Sequence, residues 1–170
     1  MKWPLRSQSY LTVKNDDIDL WPLEVEDLLS RVLERALLAT GGTGAAVALS
    51  GGKEMVCLAA QGTAPDLGMR LDQQFGFSGM CVRKGRILFC DDTETDPRVD
   101  RAACQQLGAR SMIAVPLLDR AKAVGILEVF SGTAHAFDDN HIRHLDLLAK
   151  MTVEALAQLR SAPTTGLAPI

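Results

Sequence analysis

The stretch from Ser111 to Ser131 constrains the fold of this chain more than any other. Two apolar runs, Ser111 to Leu117 and Ala123 to Ser131, are separated only by a turn around Leu118-Asp119-Arg120. Such runs read as strands, and so short a connection lets them pair only antiparallel. In the second run Val124, Ile126, Glu128 and Phe130 share one face, while Gly125, Leu127 and Val129 share the other. An apolar sheet face must be buried against a second layer. Glu128 is therefore a charge in the middle of an apolar strand.

The rest of the chain supplies that second layer. Pro22 suits the first position of a helix, and Glu24, Glu26 and Asp27 favour its positive end. Val25, Leu28, Leu29, Val32, Leu33, Ala36 and Leu37 then recur at helical spacing until Gly41-Gly42 stops the helix. A first hairpin follows, Ala45 to Leu49 and Met55 to Ala59, joined through Ser50-Gly51-Gly52-Lys53, whose glycine pair allows the positive φ of a tight turn. Beyond Gln61-Gly62 the chain is loop-like, with a short strand at Met69-Arg70-Leu71. A turn and a short helix follow over 75–85, then a strand at Ile87 to Cys90. Asp96 is placed to cap a helix whose first residue is Pro97, and Gly108 falls where that helix should end. Asp138 or Asp139 caps a final helix with the stripe Ile142, Leu145, Ala149, Thr152, Leu156 and Leu159.

The predicted order is helix, hairpin, loop-rich middle with short helices, hairpin, helix. This is an α+β plan in which the two terminal helices cover one face of an antiparallel sheet. Residues 1–21, with an apolar patch at Tyr10, Leu11 and Val13, read as an N-terminal arm; 22–160 as the domain; and 161–170 as a flexible tail or the start of a linker.

Composition removes several functions. The formal net charge is −3 over 170 residues, and Lys and Arg are scattered singly, so no basic stripe is present for nucleic acid. No apolar run approaches the roughly 20 residues of a membrane span, and residues 1–7 lack a signal-peptide core. Cys57, Cys81, Cys90 and Cys104 have neither C-x-x-C spacing nor the density of a disulfide scaffold. The expected compartment is the cytoplasm, with the cysteines acting as small buried hydrophobes. His135, His141 and His144 lack a third ligand at a diagnostic spacing and read as surface residues, and the acidic run Asp91 to Asp96 lacks the Ca²⁺-loop pattern. No cofactor or metal is expected.

One ordered set of motifs goes further. Phe77-Ser78-Gly79, Gly85-Arg86, Asp91-Asp92, Asp96-Pro97-Arg98, Arg110 to Leu117, Val124 to Val129 and Phe137-Asp138-Asp139 follow one another at spacings that resemble the GAF family of sensory domains over roughly residues 23–160. The resemblance implies a PAS-related antiparallel sheet of five or six strands. Terminal helices would pack on one face, and the loops and short helices of residues 62–110 would cover a pocket on the other. It also implies a regulatory domain that binds a small molecule and relays its state through the terminal helices. Homodimerisation is expected through those helices, where Leu148, Met151 and Ala155 form a second apolar stripe. The output would lie in a further domain or in a partner kinase or regulator.

Within that frame the candidate ligand-binding residues are Phe77, Ser78, Cys90, Asp92, Arg98, Cys104, Arg110, Met112, Glu128 and Phe130. Glu128 carries an independent physical argument: a carboxylate withdrawn from water needs a cation, from Arg98, from Arg110 or from a ligand. Two other readings stand beside the sensor. One is a closed dimerisation or interaction module with no ligand. The other is catalytic, because the free methionine-(R)-sulfoxide reductases resemble this chain and work through pocket cysteines, here Cys81, Cys90 and Cys104. Against it, the first cysteine of those enzymes falls on Ser78, and two of their carboxylate positions hold Met112 and Phe130. The expectation is a domain that is not an enzyme.

Overall fold

The computed structural model describes residues 23–51 and 54–161. The order is α1 (Leu23–Thr40), β1 (Gly44–Gly51), β2 (Glu54–Gly62), β3 (Arg70–Asp72), α2 (Gly76–Lys84), β4 (Leu88–Cys90), α3 (Arg101–Leu107), β5 (Ser111–Asp119), β6 (Lys122–Ser131) and α4 (Asp139–Ser161). The strands form one sheet in the order β3-β2-β1-β6-β5-β4, with every neighbouring pair antiparallel. This is the expected α+β architecture, with six strands. The proposed arm at 1–21, Pro22 and Gly52-Lys53 lie outside the described residues. The proposed tail loses its first residue, because Ser161 is the last residue of α4.

The central pair is β1 against β6, which joins the two hairpins into one sheet. On one face α1 and α4 pack against each other and against the strands. Leu29, Leu33, Val47, Leu117, Leu127, Val129 and Leu145 are sealed in that layer. Strand alternation sends Ile126, Glu128 and Phe130 to the opposite face, where they meet Met55, Cys57, Phe77, Cys81 and Met112. One strand therefore serves two different cores.

Three local readings need correction. The β5–β6 turn is two residues long, Arg120-Ala121, with both in the left-handed region at φ 49° and 69°, and the strands continue to Asp119 and Lys122. Val124 leaves the Ile126 face: Leu117 pairs with Gly125 and Leu118 with Ala123, so Val124 is the extra residue of a bulge, and it packs towards α1 and α4. Asp96 does not start a helix. Its carboxylate accepts from the backbone N–H of Arg98 at 2.9 Å and closes a turn, while α3 begins at Arg101 under Asp100, which accepts from the Ala103 N–H at 3.0 Å.

The helix ends follow the expected chemistry. Gly85 closes α2 at φ 57° and Gly108 closes α3 at φ 76°, a conformation that costs other residues about 1 kcal/mol or more. At α4, Asp138 accepts from the N–H groups of Asn140 and His141, which makes it the cap. His135 and His144 are exposed, whereas His141 is only partly so, because it sits edge-on to Phe137 beside Asp138.

Candidate functional site

The loop-side face of the sheet holds a cavity of about 70 Å³ beneath the first turn of α2. Phe77 and Ser78 of α2, Cys104 of α3 and Met112 of β5 border it. Four of the ten sequence-predicted ligand residues therefore meet at one space. Gly79 lets α2 lie close to β3, since a Cβ there would come within 2.8 Å of the Asp72 carbonyl.

Glu128 stands directly behind this wall. It is 2% exposed, and the Ser78 hydroxyl donates to its Oε1. Neither Arg98 nor Arg110 reaches it, contrary to the expectation from sequence. The guanidinium of Arg98 is held by Asp96 at 2.6 Å and by the Phe89 carbonyl at 2.8 Å, and it lies 5.2 Å from the Phe77 ring centroid on the way. Arg110 pairs with Asp92 at 3.1 Å. Both arginines are held by nearer carboxylates of the acidic run Asp91 to Asp96. Burial pushes the Glu128 carboxyl up from an ordinary 4.5 to about 7, with the Ser78 hydrogen bond pulling weakly the other way.

The remaining predicted residues divide. Phe130 is buried opposite Met112 in the β5–β6 ladder. Asp92 and Arg98 border a separate, open groove of about 410 Å³ along β4. Arg98 holds Asp96 down at about 2, and a backbone donor at Glu94 together with Arg110 lowers Asp92. Cys90 is buried at the end of β4.

The thiols are electrostatically quiet. Burial first, and then the negative charge of Glu128, pushes Cys57 and Cys81 up to about 12. Burial and Asp96 push Cys90 to about 12, and burial and Asp100 push Cys104 to about 11. Cys81 spends its proton on the Ala114 carbonyl, and all four cysteines are free. Cys57, Cys81 and Cys90 are buried as expected, while Cys104 is half-buried and borders the cavity. Among the described residues no cluster of three His, Cys, Asp or Glu side chains could hold a metal ion.

Asp72, Phe75, Gly76, Val99 and Asp100 also border the cavity and were missed by sequence reading. Phe75 and Gly76 directly precede the Phe77-Ser78-Gly79 motif, so adjacency was an available signal. Asp100 carried another signal, since an Asp three residues ahead of Ala103 is a good helix cap. Asp72 had none, because only the β2–β3 pairing brings it beneath α2.

An antiparallel sheet with two long helices on one face, and short helices over a cavity on the other, is the plan of the PAS-related α+β domains. The chain belongs to the GAF family: the GAF domain profile matches residues 22–157. Among solved structures, the chain is similar to the GAF domain of an Acinetobacter phosphoenolpyruvate-protein phosphotransferase, at 18% identity and TM-score 0.70 over 80% of this chain and 84% of that one. It is also similar to the free methionine-R-sulfoxide reductase of Neisseria meningitidis in complex with its substrate, at 23% identity and TM-score 0.71 over 85% and 84%. A third is the GAF-B domain of DevS from Mycobacterium smegmatis, at 19% identity and TM-score 0.65 over 81% and 99%. At these identities the likeness is one of fold. A search of curated proteins finds no match.

Proposed function

We propose that this chain is a non-enzymatic sensory or regulatory domain, in which a small molecule seated beneath α2 alters the packing of α1 and α4. The observation that carries this reading is Glu128: a buried carboxylate with Ser78 as its partner and, among the described residues, no cation beside it, one layer behind a cavity. Such a group costs several kcal/mol unless something compensates it, and a ligand is the available source. β6 supplies the connection, since Glu128 faces the cavity side while its neighbours Leu127 and Val129 are packed under the terminal helices. A ligand shifts that packing only by the difference in its affinity for the two arrangements. GAF domains of phosphotransferases and a domain of a two-component sensor histidine kinase protein, among the structural neighbours, suit such a role.

The same reading places a homodimer on the terminal helices, where Leu38, Leu147 and Met151 are exposed at 86%, 58% and 55%. It also includes an output domain or partner regulator and a cytoplasmic setting. Among the described residues, no helix is long and apolar enough to cross a membrane.

The reductase reading draws on the methionine sulfoxide reductases among the neighbours. Thiolates are the nucleophiles of that chemistry, and thiols held at about 11 to 12 supply almost none near neutral pH. Native mass spectrometry of the purified chain tests the proposal, with a retained small molecule and a dimer expected. Turnover of free methionine sulfoxide with a thiol reductant, abolished by Cys104→Ser, would replace it with the enzyme reading.

A further inference from the structure

We propose that α2 is a proton-controlled lid over the cavity: neutral Glu128 latches its first turn through Ser78, and loss of the proton to solvent releases that turn from the sheet. The inference goes beyond the ligand-binding reading and stands whether or not a ligand enters. It rests on how Glu128 is housed and on how α2 is tied down.

An ionised carboxylate offers about four acceptor positions, and a buried one needs several of them filled. Glu128 is 2% exposed, and among the described residues the Ser78 hydroxyl is the donor that reaches it. Its ladder neighbours are Ala46 of β1 and Ala114 of β5, which bring neither a charge nor a side-chain donor. The titratable groups that face it are Cys57 of β2, Cys81 of α2 and Cys104 of α3, all neutral thiols near pH 7. Among the described residues no cation stands beside it, so the site accommodates the neutral acid. Burial accordingly raises its ionisation to about 7.

The element free to yield is the first turn of α2. β1 and β5 are fixed in central ladders, and the far side of the sheet is sealed under α1 and α4. The C-terminal turn of α2 is anchored. Gly85 and Arg86 donate backbone N–H groups to the carbonyls of Val82 and Cys81, and the Cys81 thiol donates to the Ala114 carbonyl. The first turn has weaker ties. Phe75 at the N-cap supplies no side-chain hydrogen bond and is 68% exposed, which leaves Phe77 in the apolar layer and Ser78 on Glu128. Ser78 also borders the cavity of about 70 Å³, room for about two waters under the same turn. An ionised Glu128 regains hydration by the shortest route when that turn lifts, with the C-terminal turn as the hinge.

The sign follows from the two states. Seated α2 holds the Glu128 proton up to about 7, whereas lifting α2 returns the carboxyl towards its ordinary 4.5. Seating is therefore favoured most below about 4.5, weakens as pH rises, and levels off above about 7.

The test is amide hydrogen exchange of the full chain at about pH 5, 6 and 7, read by NMR as protection factors so that the intrinsic pH dependence of exchange cancels. The Cys81 and Val82 amides, which in helical geometry donate to the first-turn carbonyls, report on the lid, and Leu127 of β6 reports on the whole domain. Protection at Cys81 and Val82 should lie below that at Leu127 throughout, and should fall by up to about ten-fold per pH unit. In Glu128→Gln it should stay constant with pH. Ser78→Ala keeps the carboxylate should the first variant perturb packing, and it should lower protection of the two amides already at about pH 5. Protection that matches Leu127, that is constant with pH in the parent chain, or that falls as steeply in Glu128→Gln overturns the inference. Unchanged protection in Ser78→Ala does the same. Each of these outcomes leaves the ligand-binding reading intact, because that reading falls only when native mass spectrometry shows a bare chain.

Discussion

The two faces of the sheet are built from the same strands but under different rules. Beneath α1 and α4 the layer is almost wholly aliphatic, with Leu29, Leu33, Ile113, Val115, Leu127 and Leu145 sealed from water. Beneath α2 and α3 the layer mixes Met55, Met112, Phe77, Phe130 and three cysteines with Ser78 and a buried Glu128, and it leaves a cavity. The first face gains stability from dense packing. The second gives some of it up, because a void and a buried carboxylate both cost free energy. Stability and recognition are thus separated by the thickness of one sheet, and alternation along β6 is enough to do it.

The contrast can be broken most severely from the helix side. Leu127→Ala would leave a void in a layer with no slack, and unfolding by urea should show a loss of about 4 kcal/mol. Met112→Ala, beside the existing cavity, should cost visibly less in the same measurement, and an equal cost would erase the distinction between the faces.

The next largest effect is the pH dependence of stability set by Glu128. Its folded value of about 7 lies above the ordinary 4.5, so the folded state holds the proton more tightly. Its stabilising contribution is fully present below about 4.5 and is lost as pH rises to about 7, a change of about 3 kcal/mol. Denaturant unfolding between about pH 5 and pH 8 should show this decline in the parent chain. A flat profile is expected for Glu128→Gln, and a parent profile that rises with pH would contradict the burial argument.

Smaller effects follow at the rim. Asp100→Ala removes the cap of α3, which borders the cavity, and should cost about 1 kcal/mol in thermal or urea unfolding. Arg70→Ala breaks an exposed ion pair with Glu54 on the edge of the sheet and should change stability by at most about 0.5 kcal/mol. A larger loss there would mean that the β2–β3 edge is organised by charge rather than by its ladder.

Much of the fold was legible because its signals are local. The stripes of α1 and α4, the strand alternation of β6, and the stops at Gly85 and Gly108 each follow from a few consecutive residues. Asp96 shows where local logic fails. Asp-Pro is a sound helix start, yet Arg98 two residues later takes the carboxylate and Asp100 provides a better-placed cap. Val124 fails for a related reason: its face was assigned by counting from Ile126, and a bulge adds one to the count.

The candidate site was legible in its membership and not in its pairing. Ser78 and Glu128 were both chosen from sequence, but nothing in their 50-residue separation says that they touch. Arg98 and Arg110 were sound candidates as cations for Glu128, and each is instead bound by an aspartate of the segment between β4 and α3. Asp72 could not be named at all.

By itself, then, the order of residues determined that this chain would form an antiparallel sheet with helices on one face, and that one strand would carry a charge into the interior. Periodicity does that work, because burial of a stripe or of alternate positions is decided residue by residue along the chain. Only the tertiary structure decided what the charge would meet. Hydrogen-bond partners are selected by distance in space, and the packing of α2 across β6 put a hydroxyl, rather than a guanidinium, beside Glu128.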